Sequence, residues 1–332
     1  LDGAMDEWAA APALRLPSSY HGGHLDSWNN SVIYDDALVI IAYANRKDNA
    51  DSLERAKNMG DAFLQMQAKD PIGDGRVRNS YGPENLFDAD GVPNILSTGT
   101  AAGNQAWAGM ALAHLAHVTK DAKYRDGALR VGEWLLRETS DSRGTGGFTA
   151  GYGANGEKMA WNSTEHNIDM VGLFGMLHQL TKDRKWHSAR KHARKFVKSM
   201  WDEKEGRFHI GTKPDGITTN RDEYIPEDVQ SWGYLALRSD RYRQALDWNI
   251  ANLEVTDKSN PSQPVVGVRF AWQINPDYKE KNDDTVWLEG TAHMALALRV
   301  SGKKKHKQKA GVYLDSIHKE QHEQHVPMSQ VL

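Results

Sequence analysis

The 332-residue sequence contains no cysteine. This absence excludes disulfide bonds, cysteine nucleophiles and thiolate metal ligands. No apolar run approaches the roughly 20 residues that a membrane-spanning helix needs, so we expect no membrane insertion. A strong excess of either charge is also missing, because 41 Lys and Arg stand against 44 Asp and Glu. This balance gives no electrostatic reason to expect nucleic-acid binding.

Phenylalanine is the scarcest aromatic residue, with 7 copies against 11 Trp and 11 Tyr. Such amphipathic aromatic side chains are favoured where one face is packed and the other meets a polar partner. Sugar rings present apolar C–H faces that stack on these surfaces. The bias therefore favours a carbohydrate partner, although core packing explains most aromatic residues taken singly.

The most informative feature is a pattern that recurs about every sixty residues. Five segments open with polar or acidic residues and continue as runs of Ala, Gly and Leu with few charges. Their reference residues, Asp35, Gln105, Asn167, Val229 and Trp287, lie 70, 62, 62 and 58 positions apart. A helix that is apolar nearly all round is a buried helix. The predicted buried helices are 34–44, 103–116, 163–177, 226–237 and 283–298.

A charged, amphipathic helix follows each buried helix in the sequence. A glycine-led, partly alternating segment follows each of the first four amphipathic helices, which predicts short strands or hairpins on one rim. The glycines are Gly75, Gly147, Gly206 and Gly267, in phase with the helices at steps of 72, 59 and 61. The predicted outer helices are 50–68, 121–138, 183–201, 239–253 and 303–320.

A buried helix, an outer helix and a rim loop in repeated order describe a toroid of helical hairpins. The chain resembles the six-hairpin, (α/α)6-barrel superfamily of glycosidases and polysaccharide-active enzymes. The resemblance covers roughly residues 30–320. It rests on the repeat and on "YDDAL" (34–38), "STEHNID" (163–169) and "VWLEGTAHMALAL" (286–298).

This resemblance implies an all-α toroid with short β segments in its rim loops. We expect residues 1–332 to form a single catalytic domain, with 1–31 as an irregular segment packed on the barrel. The sequence shows five clear hairpins rather than six. A helix near residues 5–11 is one possible addition, and the sixth hairpin is otherwise missing.

In a helical toroid the inner helices start at one end, so their first turns line the same cavity. Capping and the helix dipole explain many first-turn acids, at about 0.3–1 kcal/mol each. Glu165, Asp169 and Glu289 lie beyond the cap on helices expected to be buried, where an unpaired carboxylate is costly. We call the expected lining of this cavity, formed by the first turns of the inner helices, the floor. Its polar residues are Asp35, Asp36, Asn104, Gln105, Glu165, His166, Asn167, Asp169, Glu227, Asp228, Gln230, Asp283, Asp284 and Glu289.

Glycoside hydrolysis needs one protonated carboxylic acid and one ionised carboxylate. We predict Glu165 as the acid, because its glycine-rich and aromatic context favours desolvation. Asp36 is the preferred base, and Asp35 and Asp169 are the next choices, with Glu289 and Glu227 in reserve. The resemblance implies an inverting reaction. The predicted substrate-binding residues are Tyr34, Gln105, Trp107, Trp161, His166, Asn167, Gln230, Trp232, Trp287 and Glu289.

Three other functions remain open. A polysaccharide lyase would need a Tyr or His base and a cation to neutralise a uronate, and the acidic floor argues against it. A sugar epimerase would use paired histidines, for which His166 and His293 are the obvious couple. A non-catalytic toroid that binds carbohydrate or protein is the third.

No metal or cofactor is expected. His21, His24 and Asp26 lie close in sequence but have no clear fourth ligand. The expected partner is a carbohydrate substrate, and the sequence does not define the oligomeric state. We expect a secreted or extracytoplasmic protein, with the cytoplasm as the alternative.

Overall fold

The computed structural model describes residues 14–20, 29–46, 50–259, 263–273 and 284–323. Within these ranges ten α-helices follow one another as five consecutive pairs, which confirms the predicted hairpins. The pairs are α1 (Ile33–Asn45) with α2 (Ala50–Lys69), α3 (Ala102–Thr119) with α4 (Ala122–Thr139), α5 (Thr164–Thr181) with α6 (Arg184–Ser199), α7 (Asp228–Leu237) with α8 (Gln244–Leu253), and α9 (Leu288–Val300) with α10 (Lys304–Glu323).

Two helices begin several residues later than the sequence predicts. The last inner helix begins at Leu288 rather than at 283, with Trp287 in an extended conformation at its N-cap. The fourth outer helix is preceded by a separate 3-10 turn, Asp240–Arg243. Residues 1–13 and 21–28 lie outside the described residues, so the packing of 1–31 and the extra helix near 5–11 stay predictions. The same holds for the His21, His24 and Asp26 loop.

The short strands form small antiparallel sheets in the rim segments, as the glycine-led pattern predicts. They are β1 (Ser31–Val32), β2 (Ser80–Tyr81), β3 (Ile95–Ser97), β4 (Thr100–Ala101), β5 (Ser140–Asp141), β6 (Gly147–Phe148), β7 (Gly151–Tyr152), β8 (Lys158–Met159), β9 (Trp201–Asp202), β10 (Arg207–Phe208), β11 (Tyr224–Pro226), β12 (Glu254–Asp257), β13 (Val265–Val268) and β14 (Ala271–Gln273). The described sheets have the orders β1-β2-β3, β4-β7-β8, β5-β6, β9-β10, β11-β14 and β12-β13.

The chain divides into two compact units. The first consists of the described residues up to Trp161 together with Asp169–Ala193. In it α3 packs against α1, α2 and α4. Its core holds fully buried Phe63, Trp134 and Trp186, so the apolar faces of its helices share one interior.

The second unit consists of Asn162–Ile168 and the described residues from Arg194 onward. Here α7 packs against α8 and α9, and α9 packs against α10. Fully buried Val229, Leu246, Met294, Leu298 and Tyr313 belong to its core. Three inner helices, α5, α7 and α9, start inside this unit. The prediction of one domain over 1–332 stays a prediction.

Side chains of the inner helices hold the rim segments by their backbones. Gln105 accepts a hydrogen bond from the Val77 amide (3.1 Å) and donates to the Val77 carbonyl (2.5 Å). Gln230 makes the same pair of bonds with Phe208, at 2.8 and 3.0 Å. Thr291 accepts from the Val268 amide at 3.1 Å. These bonds satisfy buried backbone groups, and they fix three rim segments to the starts of α3, α7 and α9.

None of the described helices combines the length and the hydrophobicity that a membrane crossing demands.

Candidate active site

Three acidic side chains of the second unit come from the first turns of three inner helices. Glu165 lies in the first turn of α5, Asp228 in that of α7 and Glu289 in that of α9. They are close enough for the charges of Asp228 and Glu289 to act on the Glu165 carboxyl. The structure therefore brings together acids that the sequence repeat placed on one floor.

Glu165 is the most strongly perturbed of the three. Burial raises its pKa well above the usual value, and the negative charges of Asp228 and Glu289 raise it further. Among the described residues, no hydrogen bond or ion pair reaches the Glu165 carboxyl. This carboxyl therefore keeps its proton to a higher pH than an ordinary glutamate.

Asp228 is stabilised in part by the backbone of its own helix. Its Oδ1 accepts a hydrogen bond from the Val229 amide at 2.6 Å. Burial raises the pKa of Asp228 to about 6, with that backbone bond acting against the shift and the Glu289 charge adding to it. No lysine or arginine in the described ranges forms an ion pair with Asp228. Its carboxyl thus changes charge near neutral pH.

Glu289 is the accessible member of the cluster, because 39% of its side chain is exposed. It lines an open groove of about 290 Å³ with Leu288, Ala292, Ile317 and Glu320. Glu165 is only half-buried by its exposed area, but the surrounding protein desolvates its carboxyl.

Aromatic rings form a continuous series beside these acids. The ring centroids of Trp232 and His293 are 4.6 Å apart, and those of His293 and Trp287 are 5.7 Å apart. Trp287 contacts Phe270 at 5.1 Å, and Phe270 contacts Tyr224 at 6.0 Å. Phe270 is 50% exposed, so this aromatic series presents ring surface to solvent. Such a surface suits the C–H face of a sugar.

Tyr224 links the aromatic series to the acids. Burial raises the pKa of its phenol, and the charges of Asp228 and Glu165 raise it further. The Tyr224 hydroxyl therefore stays protonated. Sequence reasoning missed Tyr224 and Phe270 because both come from strand and loop segments. Phe270 does lie within the fourth glycine-led segment, which was the available signal.

A neutral histidine and a buried glutamate lie behind Glu289. Burial lowers the pKa of His293 to about 4. Its Nε2 is 3.7 Å from Oε1 of Glu289, and its Nδ1 is 3.9 Å from Oε2 of Glu227. Because the imidazole is neutral at neutral pH, these approaches are not ion pairs. Glu227 is fully buried, and its Oε1 accepts a hydrogen bond from Asn249 Nδ2 at 3.1 Å.

The other predicted catalytic acids lie in the first unit. Asp36 is fully buried, and its Oδ2 accepts a hydrogen bond from Ser31 Oγ at 2.8 Å. Burial raises its pKa well above the usual value, and the Ser31 bond opposes that shift. Burial also raises the pKa of the neighbouring Asp35. Asp169 is buried at the start of the part of α5 that belongs to this unit. Their role as bases stays a prediction.

Several predicted substrate-binding residues have structural contacts. Gln105 and Gln230 are fully buried, and their amides are engaged by the rim backbone as described above. Asn167 donates to the Ser163 carbonyl within its own helix turn at 2.8 Å. Burial lowers the pKa of His166 to about 4, so it is neutral at neutral pH.

The remaining aromatic candidates belong to the first unit. Tyr34 and Trp107 meet edge to face with centroids 5.3 Å apart. Trp161 is half-buried, and its carbonyl accepts from the Ala150 amide at 2.9 Å. Asp283 lies outside the described residues, and Asp284 is exposed before α9. In the described part of the chain no group of three His, Asp or Glu side chains could hold a metal ion.

Comparison with known proteins identifies the fold. No family model and no curated protein sequence match the chain. Among solved structures, a cellobiose 2-epimerase from Bacillus thermoamylovorans matches with a TM-score of 0.68 at 12% identity, over 93% of this chain and 81% of that one. A D-mannose isomerase matches with a TM-score of 0.64 at 10% identity, over 88% and 74%.

A hydrolase is also similar to the chain. A family 76 glycoside hydrolase from a bovine Bacteroides thetaiotaomicron strain matches with a TM-score of 0.61 at 13% identity, over 93% of this chain and 63% of that one. The chain therefore has an (α/α)6-type toroid fold, which confirms the fold class predicted from its sequence. At these identities the likeness shows the fold alone, and the chemistry must be argued from the site.

Proposed function

We propose that this protein is a glycoside hydrolase in which Glu165 is the general acid and an ionised carboxylate of the same cluster, Glu289 or Asp228, is the general base. The observation that carries the proposal is the convergence of three first-turn acids, in which Glu165 has a desolvated carboxyl with a raised pKa and the Glu289 side chain is 39% exposed. Two carboxyls whose surroundings push their pKa values apart are the arrangement that acid–base cleavage requires.

In the proposed reaction, Glu165 transfers its proton to the glycosidic oxygen as the bond to the anomeric carbon breaks. The ionised carboxylate takes a proton from water, and the water oxygen bonds to the anomeric carbon from the opposite face. This sequence inverts the configuration. The aromatic series from Tyr224 to Trp232 would hold the sugar ring by stacking, which keeps the reacting atoms in place.

A sugar epimerase is the second candidate. It is supported by the neutral imidazole of His293 beside Glu289, because a neutral imidazole can accept a proton from carbon. Two of the similar structures are named as a sugar epimerase and a sugar isomerase. A polyuronate lyase has less support, because no described lysine or arginine pairs with Glu165 or Asp228 to neutralise a uronate.

The test is a screen of neutral and acidic poly- and oligosaccharides for new reducing ends, with parallel detection of epimerised sugars by NMR. The variants are E165Q and the control E205Q, which changes an exposed glutamate of the same unit. We expect reducing ends from the wild type and from E205Q, and a rate about 10²–10⁴ lower for E165Q. Epimers without new reducing ends would overturn the proposal in favour of the second candidate, and full activity of E165Q would refute the acid assignment.

A further inference from the structure

We propose that His293 and Glu227 are positioning residues that orient the Glu289 carboxylate and thereby make Glu289, rather than Asp228, the general base. The inference rests on the proposed hydrolase function and deepens it. It concerns two side chains that do not need to touch the substrate.

The geometry places one imidazole between two carboxyl groups. His293 follows Glu289 by four residues on α9, so the two side chains lie on the same helix face. Glu227 approaches from the other side, at the N-cap of α7. The distances are 3.7 Å from Nε2 to Glu289 and 3.9 Å from Nδ1 to Glu227.

The facing atoms of His293 and Glu227 are both buried and both lack a hydrogen bond to any described residue. They are Nδ1 of His293 and Oε2 of Glu227. A buried polar atom without a partner costs about 1–3 kcal/mol. At 3.9 Å, a movement of about 1 Å brings the pair to hydrogen-bonding distance, and each atom then satisfies the other.

The protonation states of Glu227 and His293 determine which of the two side chains donates the hydrogen bond. Burial raises the pKa of Glu227 well above the usual value and the charge of Asp228 adds to the shift, while side-chain hydrogen bonds with Ser231 and Asn249 oppose it. Oε1 of Glu227 already accepts from Asn249, so the proton of the neutral acid belongs on Oε2, where it is donated to Nδ1 of His293. A neutral imidazole carries one N–H, which is then on Nε2 and points to Glu289. In the opposite tautomer, the Nδ1–H of His293 would face the carboxyl proton on Oε2 of Glu227, and the two protons would repel each other.

The Nε2–H group lies 3.7 Å from Oε1 of Glu289, and a shortening of about 1 Å forms a hydrogen bond that stabilises the carboxylate charge. The imidazole cannot turn freely, since its ring packs against Trp232 and meets Trp287 edge to face at 89°. Asp228 has no such support from a side chain, and its bond from Val229 comes from its own helix. Glu289 is therefore both oriented and accessible, as a base that binds water must be.

The first experiment measures the tautomer without any assay of activity. Two-dimensional ¹H–¹⁵N NMR of the imidazole groups is recorded at neutral pH, and His293 is assigned by comparison with H293F. We expect an Nε2–H tautomer with an unprotonated Nδ1 that accepts a hydrogen bond. E227Q should keep this tautomer because its amide also donates. An Nδ1–H tautomer in the wild type would overturn the proposal.

The second experiment measures kcat/KM against pH for H293F, E227A, E227Q and the control H117F, which changes an exposed histidine. H293F and E227A should lose about 10- to 100-fold, and the acidic limb of their profiles should move to higher pH as Glu289 becomes harder to ionise. E227Q should recover most of what E227A loses. An unmoved profile in H293F, or E227Q as poor as E227A, would contradict the proposal.

The two failures can be told apart. If the wild type cleaves no glycan, the proposed function fails, while the NMR tautomer still decides the hydrogen-bond arrangement. If the wild type is active and E165Q is not, but H293F keeps the wild-type profile, the hydrolase function stands and the positioning role is refuted. Thermal unfolding of each variant identifies any loss that comes from misfolding.

Discussion

Asp228 shows the energetic cost of gathering acids at a buried helix start. Its pKa rises from 3.8 in a model peptide to about 6 in the folded chain, chiefly through burial. Below about pH 3 both the folded and the unfolded chain hold this proton, so the raised pKa does not change the free energy of unfolding. As the pH rises toward 6 the unfolded chain releases the proton first, and the free energy of unfolding falls. Glu165 and Glu227, whose pKa values are also raised, act in the same direction.

Changing Asp228 to Asn should remove this penalty while keeping an oxygen for the Val229 amide. We expect D228N to match the wild type near pH 3 and to exceed it by about 3 kcal/mol in free energy of unfolding at pH 7, since each pKa unit corresponds to about 1.4 kcal/mol. Urea unfolding at a series of pH values measures the difference. D90N, at an exposed aspartate, is the control. A pH-independent difference between D228N and the wild type would contradict the burial argument.

The helices and the rim differ in how far local sequence specifies them. Runs of Ala, Gly and Leu predicted α3 and α5 to within a few residues, because helix formation and burial both leave a local pattern. Gln105 and Gln230 were predicted to bind substrate from their place at a polar helix start. Their partners are backbone groups 28 and 22 residues upstream, and such pairing is set by tertiary packing that no local pattern records.

The candidate site also has a part that the sequence predicts and a part that it does not. The repeat phase placed Glu165, Asp228 and Glu289 on equivalent first turns, so their convergence could be predicted. The preference for Asp36 as the base depended on distances between helices, which spacing along the chain does not give. Phe270 entered the aromatic series from a loop, where neither helical nor alternating periodicity marks a functional side chain.

Two helical glycines test how tightly the outer helices are packed. A Cβ at Gly132 of α4 would lie 2.6 Å from Cδ1 of Leu177 and 2.8 Å from two ring carbons of Trp186, which is fully buried. A Cβ at Gly311 of α10 would meet no atom of the described residues within 4 Å. Alanine is favoured over glycine in a helix by about 1 kcal/mol, so only packing distinguishes the two sites.

We therefore expect G132A to lower the free energy of unfolding by about 1–3 kcal/mol through overpacking, and G311A to raise it by about 0.5–1 kcal/mol. Each variant serves as the control for the other, because the substitution is the same and both sites are on outer helices. Chemical denaturation at constant pH gives both values. Changes of the same sign would show that packing at Gly132 relaxes more easily than its neighbours indicate.

At the scale of the whole molecule, five helical hairpins within the described residues define the fold. Similar folds include a cellobiose 2-epimerase, a D-mannose isomerase and a family 76 glycoside hydrolase, so the architecture alone does not select a reaction. The choice depends on whether Glu165 delivers a proton to a leaving oxygen. The answer depends on whether the glycosidic C–O bond is broken, which the fold does not determine.

The most direct measurement compares two glycosides of one sugar that the wild type cleaves. One carries an alcohol leaving group, which needs a proton, and the other carries a dinitrophenolate, which leaves without one. If Glu165 is the general acid, E165Q will lose about 10²–10⁴ in kcat/KM on the alcohol glycoside and less than about 10-fold on the dinitrophenyl glycoside. Equal losses on both substrates would contradict the assignment of Glu165 as the proton donor.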